Sequence, residues 1–331
     1  GVVLGGGSGS FIGHVDELAE LNYGSGMAKI TSNLFAVSGF YGIMHLIDWD
    51  GDKQQMNVVR RIGSIQKCKG LALNRRGDVA YNAGMWRWDD RPETPQLNCA
   101  PALEIGQAVM LPKDNFVAAS TRSGVNIMTC NFSWQTKYSE LKSISPDFIQ
   151  GATAYQSLSK GVGTVLLLVN AKGQGLSFRI GSDGSFSKEL GPVTLAMAQP
   201  PLKDWTSLAM KDNDTLLAAA DGFVIEMIRD GENWKESKRW NSWGPGTQDK
   251  FGGKIHICSD SGRLWVSDTM RNRVVCLSLD KNKLISEFGE LDKKGDDLAH
   301  LDSPQVIAGR ERRAVLFDSG NQRLVKLSLV E

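Results

Sequence analysis

Cationic and amide side chains recur in this 331-residue chain at the points where short apolar runs begin. Lys69 and Lys254 carry positive charge there, and Gln107, Gln150 and Gln305 offer amide donors and acceptors. If the runs meet around one axis, these five side chains can bind a polar or anionic ligand. The alternative to ligand binding is a water-filled channel that these polar side chains line.

Two tryptophan-rich segments add flat aromatic surfaces to this set. Trp86, Arg87 and Trp88 are consecutive, and Trp243 lies in a second cluster over 240–246. Aromatic rings beside Arg, Asp and Asn suit sugar rings, and Trp and Arg are common anchors in protein interfaces. The same rings can instead pack between elements of the fold. The sequence predicts a ligand-contacting set made of Lys69, Trp86, Arg87, Trp88, Gln107, Gln150, Trp243, Lys254 and Gln305.

A catalytic use of this set is the alternative to plain binding. A polysaccharide lyase or hydrolase needs a cation that neutralises an acidic sugar and a base that removes a proton. Lys69, Lys254 or Arg87 can supply the cation. His256 or Tyr155 can supply the base. Because no G-x-S-x-G nucleophile elbow is present, no catalytic residue is assigned, and non-catalytic binding of a glycan or protein partner is the favoured interpretation.

Cofactor and metal signals are weak. The four histidines share no spacing that would make a zinc ligand pair. The acidic run at 292–297 lacks the spacing of a calcium loop. The glycine-rich stretch at 5–13 resembles a phosphate loop, but no Lys-Ser or Lys-Thr follows it. The sequence therefore predicts no metal and no cofactor.

Composition limits the partners further. With 41% hydrophobic residues, the chain can form a core. Its formal net charge is only +1, which argues against a nucleic-acid partner and against a polybasic membrane anchor. No apolar run reaches the roughly 20 residues of a spanning helix. The cysteines are five in number and scattered, which predicts buried free thiols. Since the chain starts at Gly1, we expect a processed form or a fragment, and an extracytoplasmic or secreted location is favoured.

The elements that position these residues are repeated strands. Short apolar runs close on a small polar residue at intervals of 44, 38, 50, 51, 47 and 50 residues. The closing residues are Ser38, Asn82, Ser120, Asn170, Asp221, Asp268 and Asp318. Units of this length match the blades of a β-propeller. The sequence predicts an all-β, seven-bladed propeller with four antiparallel strands per blade, in a single domain over 1–331.

The last two repeats carry the most specific pattern. Residues 264–277 and 315–327 both read strand, Asp, polar turn, Arg five places after the Asp, and strand. The matching residues are Asp268, Asn272, Arg273, Asp318, Asn321 and Arg323. This pattern resembles NHL repeats, a family of propeller units. The resemblance implies that Asp caps the turn and Arg makes forked hydrogen bonds, so these residues are expected to be structural rather than catalytic.

Propeller topology gathers the candidate residues on one face. The predicted inner strands begin near Met27, Lys69, Gln107, Gln150, Thr206, Lys254 and Gln305. Strands of a blade alternate in direction, so these starts share a face with the second turn of each blade and with the links between blades. The seventh repeat has three strands of its own, and an open edge is unfavourable. Val2–Leu4 is therefore expected to close the ring as its fourth strand.

Overall fold

A computed structural model describes residues 150–159, 161, 163–180 and 186–330, positions 68, 71 and 148, and the strands given below in the first 138 residues. Antiparallel strands dominate these residues. Short 3-10 turns lie at Thr247–Asp249, Thr269–Arg271 and Ser319–Asn321. The apolar runs of the sequence thus become strands, and the Gly, Asp and Asn clusters between them become turns.

The N-terminal strands belong to three sheets. They are β1 (Val2–Leu4), β2 (Phe11–Gly13), β3 (Met27–Lys29), β4 (Leu34–Ser38), β5 (Met44–Asp48), β6 (Gln55–Ile62), β7 (Ala72–Leu73), β8 (Asp78–Tyr81) and β9 (Gly84–Arg87). β1 pairs with β2, and β7, β8 and β9 form a three-stranded sheet. β3 to β6 are antiparallel neighbours in a larger sheet.

Four blades follow, each built from consecutive antiparallel strands. The first has β10 (Ile105–Met110), β11 (Phe116–Ser120), β12 (Gly124–Met128) and β13 (Lys137–Tyr138). The second has β14 (Gly151–Gln156), β15 (Thr164–Val169), β16 (Gly175–Ile180) and β17 (Phe186–Val193). After β18 (Leu195–Ala196), the third has β19 (Trp205–Asp212), β20 (Thr215–Ala220), β21 (Phe223–Asp230) and β22 (Asn233–Trp240). The fourth has β23 (Ile255–Asp260), β24 (Arg263–Asp268), β25 (Arg273–Ser278) and β26 (Lys283–Gly289).

The last sheet contains β27 (Pro304–Arg310), β28 (Arg313–Asp318) and β29 (Arg323–Val330). Inner strands contact one another in the order β7, β10, β14, β19, β23 and β27, and β27 lies against β7. Apolar side chains make this last contact, where Leu71 and Leu73 pack with Ala308 and Phe317. These strands therefore surround a common axis.

The predicted count of seven blades is wrong. Among the described residues, four sheets are complete blades of consecutive strands, and the first predicted repeat is not a separate blade. Its strand β6 pairs along β29 from Leu324–Ile62 to Val330–Gln55. The strands β3 to β5 consequently extend the last sheet outward beyond β6, rather than lying between β27 and β7.

The predicted closure by Val2–Leu4 is also wrong. That strand pairs with Phe11–Gly13, so hydrogen bonds to the N-terminal strand do not close the ring. β6 takes the place beside β29 because it is longer and buries Met56 and Val58 against the neighbouring sheets. The backbone N–H of Met56 also donates to Ser286 Oγ in the adjacent blade, at 2.9 Å.

A pair of variants tests this closure. Val58→Asp should destabilise the protein by about 3 kcal/mol, because it places an unpaired carboxylate where Val58 is 2% exposed. Removal of residues 1–5 should leave the thermal unfolding midpoint nearly unchanged. Both are measured by thermal and urea unfolding. A large loss of stability on truncation, with a small effect of Val58→Asp, would show that the N-terminal strand is the one that closes the last sheet.

Neighbouring blades adhere through apolar layers and hydroxyl groups. Trp205, Trp234 and Trp265 are among the largest fully buried side chains, and each belongs to an apolar cluster that joins adjacent blades. Thr206 Oγ1 donates across an interface to the carbonyl of Ile255. Hydroxyl bonds of this kind satisfy backbone groups at the inner strands, so the packing of blades does not rest on apolar contact alone.

The link before Lys203 seals the outer edge of one blade. β18 pairs in parallel with the start of β22. Further along, Arg239 donates to the carbonyls of Ala198 and Pro200, both at 2.8 Å, while Glu236 holds its guanidinium. A covered edge cannot recruit another strand. The same contacts fix the path of residues 195–203 toward the face of the inner-strand starts.

Candidate functional site

A buried Asp–Arg pair ties each of the last two links to a turn. Asp268 accepts hydrogen bonds from the Gly252 backbone N–H at 2.9 Å and from Arg273 Nε at 3.0 Å. Arg273 also donates to the carbonyls of Gln248, at 2.7 Å, and Lys250, at 2.9 Å. Both side chains of the pair are fully buried. We call this arrangement the Asp–Arg clip.

The next repeat contains the same clip. Asp318 accepts from the Asp302 backbone N–H at 2.7 Å and from Arg323 Nε at 2.8 Å. Arg323 donates to the carbonyls of Asp296, at 2.6 Å, and His300, at 3.0 Å. These contacts match the capping and forking roles that the repeat resemblance implies.

Burial changes the protonation of the clip carboxylates. Desolvation raises the pKa values of Asp268 and Asp318 above the ordinary range, and hydrogen bonds from backbone N–H groups and from the arginines oppose this rise. A third repeat uses the carboxylate alone, since Asp221 Oδ2 accepts the backbone N–H of Lys203 at 2.7 Å. The repeated Asp is therefore buried in the last two repeats and half-buried at Asp221, where it still caps the preceding link.

A cavity of about 260 Å³ lies on the axis. Inner strands line it with small, apolar and hydroxyl-bearing residues. Its lining includes Leu71, Leu73, Ala152, Thr153, Ala154, Thr206, Ser207, Met210, His256, Cys258, Ser259, Val306 and Gly309. Among the described lining residues, His256 is the side chain that can become positively charged. The cavity is thus suited to an apolar or neutral group.

His256 is a neutral core histidine at ordinary pH. Its side chain is buried, and burial together with the charge of Lys254 lowers its pKa to about 3. Its Nδ1 has no hydrogen-bond partner among the described residues. A base of so low a pKa holds a proton poorly near pH 7, so His256 is mismatched to the general-base role considered for it.

Tyr155 lies in the packing layer rather than in the channel. Its ring meets Trp234 edge-on with centroids 5.1 Å apart, and the Arg229 guanidinium is 5.0 Å from its centroid. Desolvation raises its pKa, although the hydrogen bond to Trp234 opposes this. The second base candidate is therefore remote from an axial ligand, and the catalytic alternative has no base on the described lining.

The structure places several predicted contact residues on one face. Gln150 and Lys254 are exposed and immediately precede β14 and β23. Gln305 is half-buried at the start of β27, and its carbonyl accepts from Ser267 Oγ. Gln107 lies at a bulge near the start of β10. The inner strands β10, β14, β19, β23 and β27 thus begin near the predicted positions, whereas Met27 begins β3 at the outer edge of the last sheet, so that predicted inner-strand start is wrong. Ligand contact at these starts stays a prediction.

The other predicted contacts are less completely described. Lys69 and Trp88 lie outside the described residues. Trp86 and Arg87 end β9, and their side chains are outside the description. Cys258 and Cys276 are free thiols; Cys276 is buried and Cys258 half-buried. Burial raises the pKa of Cys276 to about 12.

Trp243 packs the link that follows β22. Its ring centroid is 5.3 Å from that of Phe251, and the Arg273 guanidinium is 4.9 Å from it. The indole is half-buried, so most of its stacking surface serves the fold. A sugar contact at Trp243 remains a prediction, but the packing role is the one that these contacts support.

Two lysines that sequence analysis did not select lie on the same face. Lys172 is in the second turn of a blade, two residues after Asn170, and Lys203 is in the next link. Both are exposed. The topological rule that selected Lys254 would have found them, if it had been applied to turns and links as well as to inner-strand starts.

Several charged side chains of the link over 290–303 form ion pairs within the link or with the adjacent turn. His300 lies between two carboxylates, with Nδ1 2.5 Å from Asp297 Oδ1 and Nε2 2.6 Å from Glu290 Oε2. These contacts raise the pKa of His300 and lower that of Glu290. Lys293 and Arg271 pair with Glu290 and Asp292. Within the described residues, no cluster of His, Cys, Asp and Glu is arranged to hold a metal ion.

Solved structures resemble this chain over most of its length. A structural genomics protein of unknown function from Bacteroides thetaiotaomicron matches with a TM-score of 0.55 and 12% identity, covering 93% of this chain and 83% of that one. The β-propeller domain of Swd1 from Myceliophteria thermophila matches with a TM-score of 0.47 and 11% identity, covering 89% and 92%. The consecutive four-stranded sheets and the ring of inner strands make the fold a β-propeller.

At these identities the likeness concerns the fold alone. Neither a family model nor a curated protein matches the chain, so the NHL resemblance stands on the residues of the last two repeats. Among the described residues, no helix has the length and apolarity to cross a membrane. Function must therefore be argued from the face itself.

Proposed function

We propose that this chain is a single-domain, non-catalytic interaction propeller that binds a protein partner on the face of its inner-strand starts. One observation carries the proposal. On this face Asp268 and Asp318 are buried with their arginines, while the side chains of Gln150, Lys172, Lys203 and Lys254 are exposed. Among its described residues, the face offers binding groups without a paired acid and base.

The clips suit such a role because they hold the links rigid. Arg273 and Arg323 each bind two or more carbonyls of the preceding link. A surface that is ordered before binding loses less conformational entropy when a partner docks. The same loops would be poor candidates for a closing lid, since their backbone is tied to buried groups.

Glycan binding and catalysis receive less support. The indole of Trp243 is engaged with Phe251 and Arg273, which removes much of a stacking platform. Tyr155 is in the core, and the pKa of His256 is about 3. These observations leave a sugar-active site without its expected aromatic surface or base among the described residues.

Site-specific cross-linking tests the proposal. Benzoylphenylalanine is placed at Lys172 or Lys254 on the face, and at Lys235 or Lys281 as exposed control positions away from it. After irradiation in extracts of the producing cells, the face positions should form an adduct with one protein, identified by mass spectrometry. Absence of a protein adduct at the face, or equal adducts at the controls, would overturn the proposal.

A further inference from the structure

Three exposed lysines form what we call the cationic sector. They are Lys172, Lys203 and Lys254, which lie in a second turn, in the following link and at the next inner-strand start. No ion pair with a described carboxylate is found for any of them. Each therefore presents a hydrated ammonium group to solvent, available to an incoming partner.

Two hydrogen bonds make the sector continuous. The carbonyl of Ala171 accepts the backbone N–H of Trp205 at 3.0 Å, which joins the Lys172 turn to the Lys203 link. Thr206 Oγ1 donates to the carbonyl of Ile255, which joins that link to Lys254. Gly173 also lies against the Trp205 ring, where an added Cβ would be 2.5 Å from Cε2.

Carboxylates near the sector neutralise it little. Asp221 Oδ2 accepts the backbone N–H of Lys203, and Asp268 is fully buried with Arg273. Asp204 is the exposed carboxylate within the sector. Three exposed lysines thus face the exposed Asp204 and the half-buried Asp221, and the sector keeps a positive excess because Asp268 is buried with Arg273.

An uncharged cavity with apolar and hydroxyl-bearing walls adjoins these lysines. The axial cavity of about 260 Å³ includes Ala152, Thr206 and Val306 near the inner-strand starts. A side chain the size of leucine fits such a volume, and apolar burial favours its entry. Positive charge on the sector and an uncharged cavity beside it together define the chemistry of a partner.

We propose that the cationic sector docks an acidic segment of a protein partner, whose carboxylates meet Lys172, Lys203 and Lys254 while a neighbouring apolar side chain enters the axial cavity. This inference rests on the proposed function and names its partner class. Lysine suits dispersed carboxylates because its charge is compact and its stem flexible. A nucleic acid fits less well, since its binding requires a wider basic surface.

The test uses a fluorescein-labelled peptide in which glutamates flank one leucine. Its binding is measured by anisotropy against the intact protein and against the triple variant Lys172→Ala, Lys203→Ala, Lys254→Ala. The matched control is Lys188→Ala, Lys235→Ala, Lys281→Ala, which removes the same charge from exposed lysines elsewhere. Three exposed ion pairs together are expected to account for about a tenfold loss of affinity in the sector variant.

The control variant should bind within about twofold of the parent, and added salt should weaken the parent complex. A peptide with glutamine for glutamate should bind poorly, and leucine-to-alanine replacement in the peptide should weaken binding. Equal losses in both triple variants, no binding of the acidic peptide, or tighter binding of polygalacturonate would each overturn the inference.

The two proposals fail in different ways. If the protein adduct at position 172 persists at high salt when Lys203 and Lys254 are both replaced by alanine, a partner still binds this face, and only the acidic-segment inference is wrong. If no protein adduct forms at the face, the proposed function itself is wrong.

Discussion

Arg273→Met is expected to destabilise the protein by about 3–5 kcal/mol. The change leaves Asp268 buried without its cationic partner, which is the costly way to break a buried ion pair. It also removes the donors to Gln248 and Lys250 and the cation beside Trp243. Urea unfolding followed by circular dichroism measures the loss, with Lys238→Met as the control.

Lys238 is a fitting control because it forms an ion pair with Glu226 while its side chain is 60% exposed. Exposed pairs contribute about 0–1 kcal/mol, so this variant should stay close to the parent. Amide exchange at Gly252 should accelerate in Arg273→Met, since the clip orders that link. Equal stability of the two variants would contradict the structural role of the clip.

Acidification from pH 7 to pH 5 should cost the protein about 2 kcal/mol through His256 alone. An unfolded histidine has a pKa near 6.5, whereas that of folded His256 is about 3. Protonation therefore favours the unfolded chain. The stabilising difference is complete above pH 6.5 and is lost as the pH falls toward 3.

The measurement compares stability at the two pH values in the parent and in His256→Gln, where this loss should shrink. His300 has a raised pKa because of Glu290 and Asp297, so its linkage has the opposite sign: its contribution is complete below pH 6.5 and falls as the pH rises through the folded pKa. His300→Gln should therefore steepen the loss on acidification. Nuclear magnetic resonance should find His300 titrating above pH 6.5, and a His256 titration near 6 would refute the prediction.

Strand positions were largely predictable from the chain. Short apolar runs that end in Asn or Asp predicted the second strands before Asn170, Asp221 and Asp318. A turn residue usually follows a short buried strand, which makes this pattern informative. The Asp–Arg spacing also predicted the clips, since a turn of fixed length brings the two side chains together.

Blade number and closure were not predictable in this way. Repeats report local strand order, but the pairing of β6 with β29 joins residues more than 260 positions apart. An open edge predicts that some strand must cover it but not which one, and Val2–Leu4 was predicted where the fold uses Gln55–Ile62. The tertiary structure favours β6 because Met56 and Val58 pack against the neighbouring sheets and the Met56 N–H binds Ser286.

The same division holds for the site. Sequence alone determined that polar side chains begin the inner strands, as at Gln150, Lys254 and Gln305. Tertiary structure decided which groups remain available. It buried Asp268 with Arg273 and packed Trp243 on Phe251. Exposure depends on neighbours that are distant in the chain. A local sequence pattern therefore cannot predict which charged side chains are buried in ion pairs and which stay exposed to a partner.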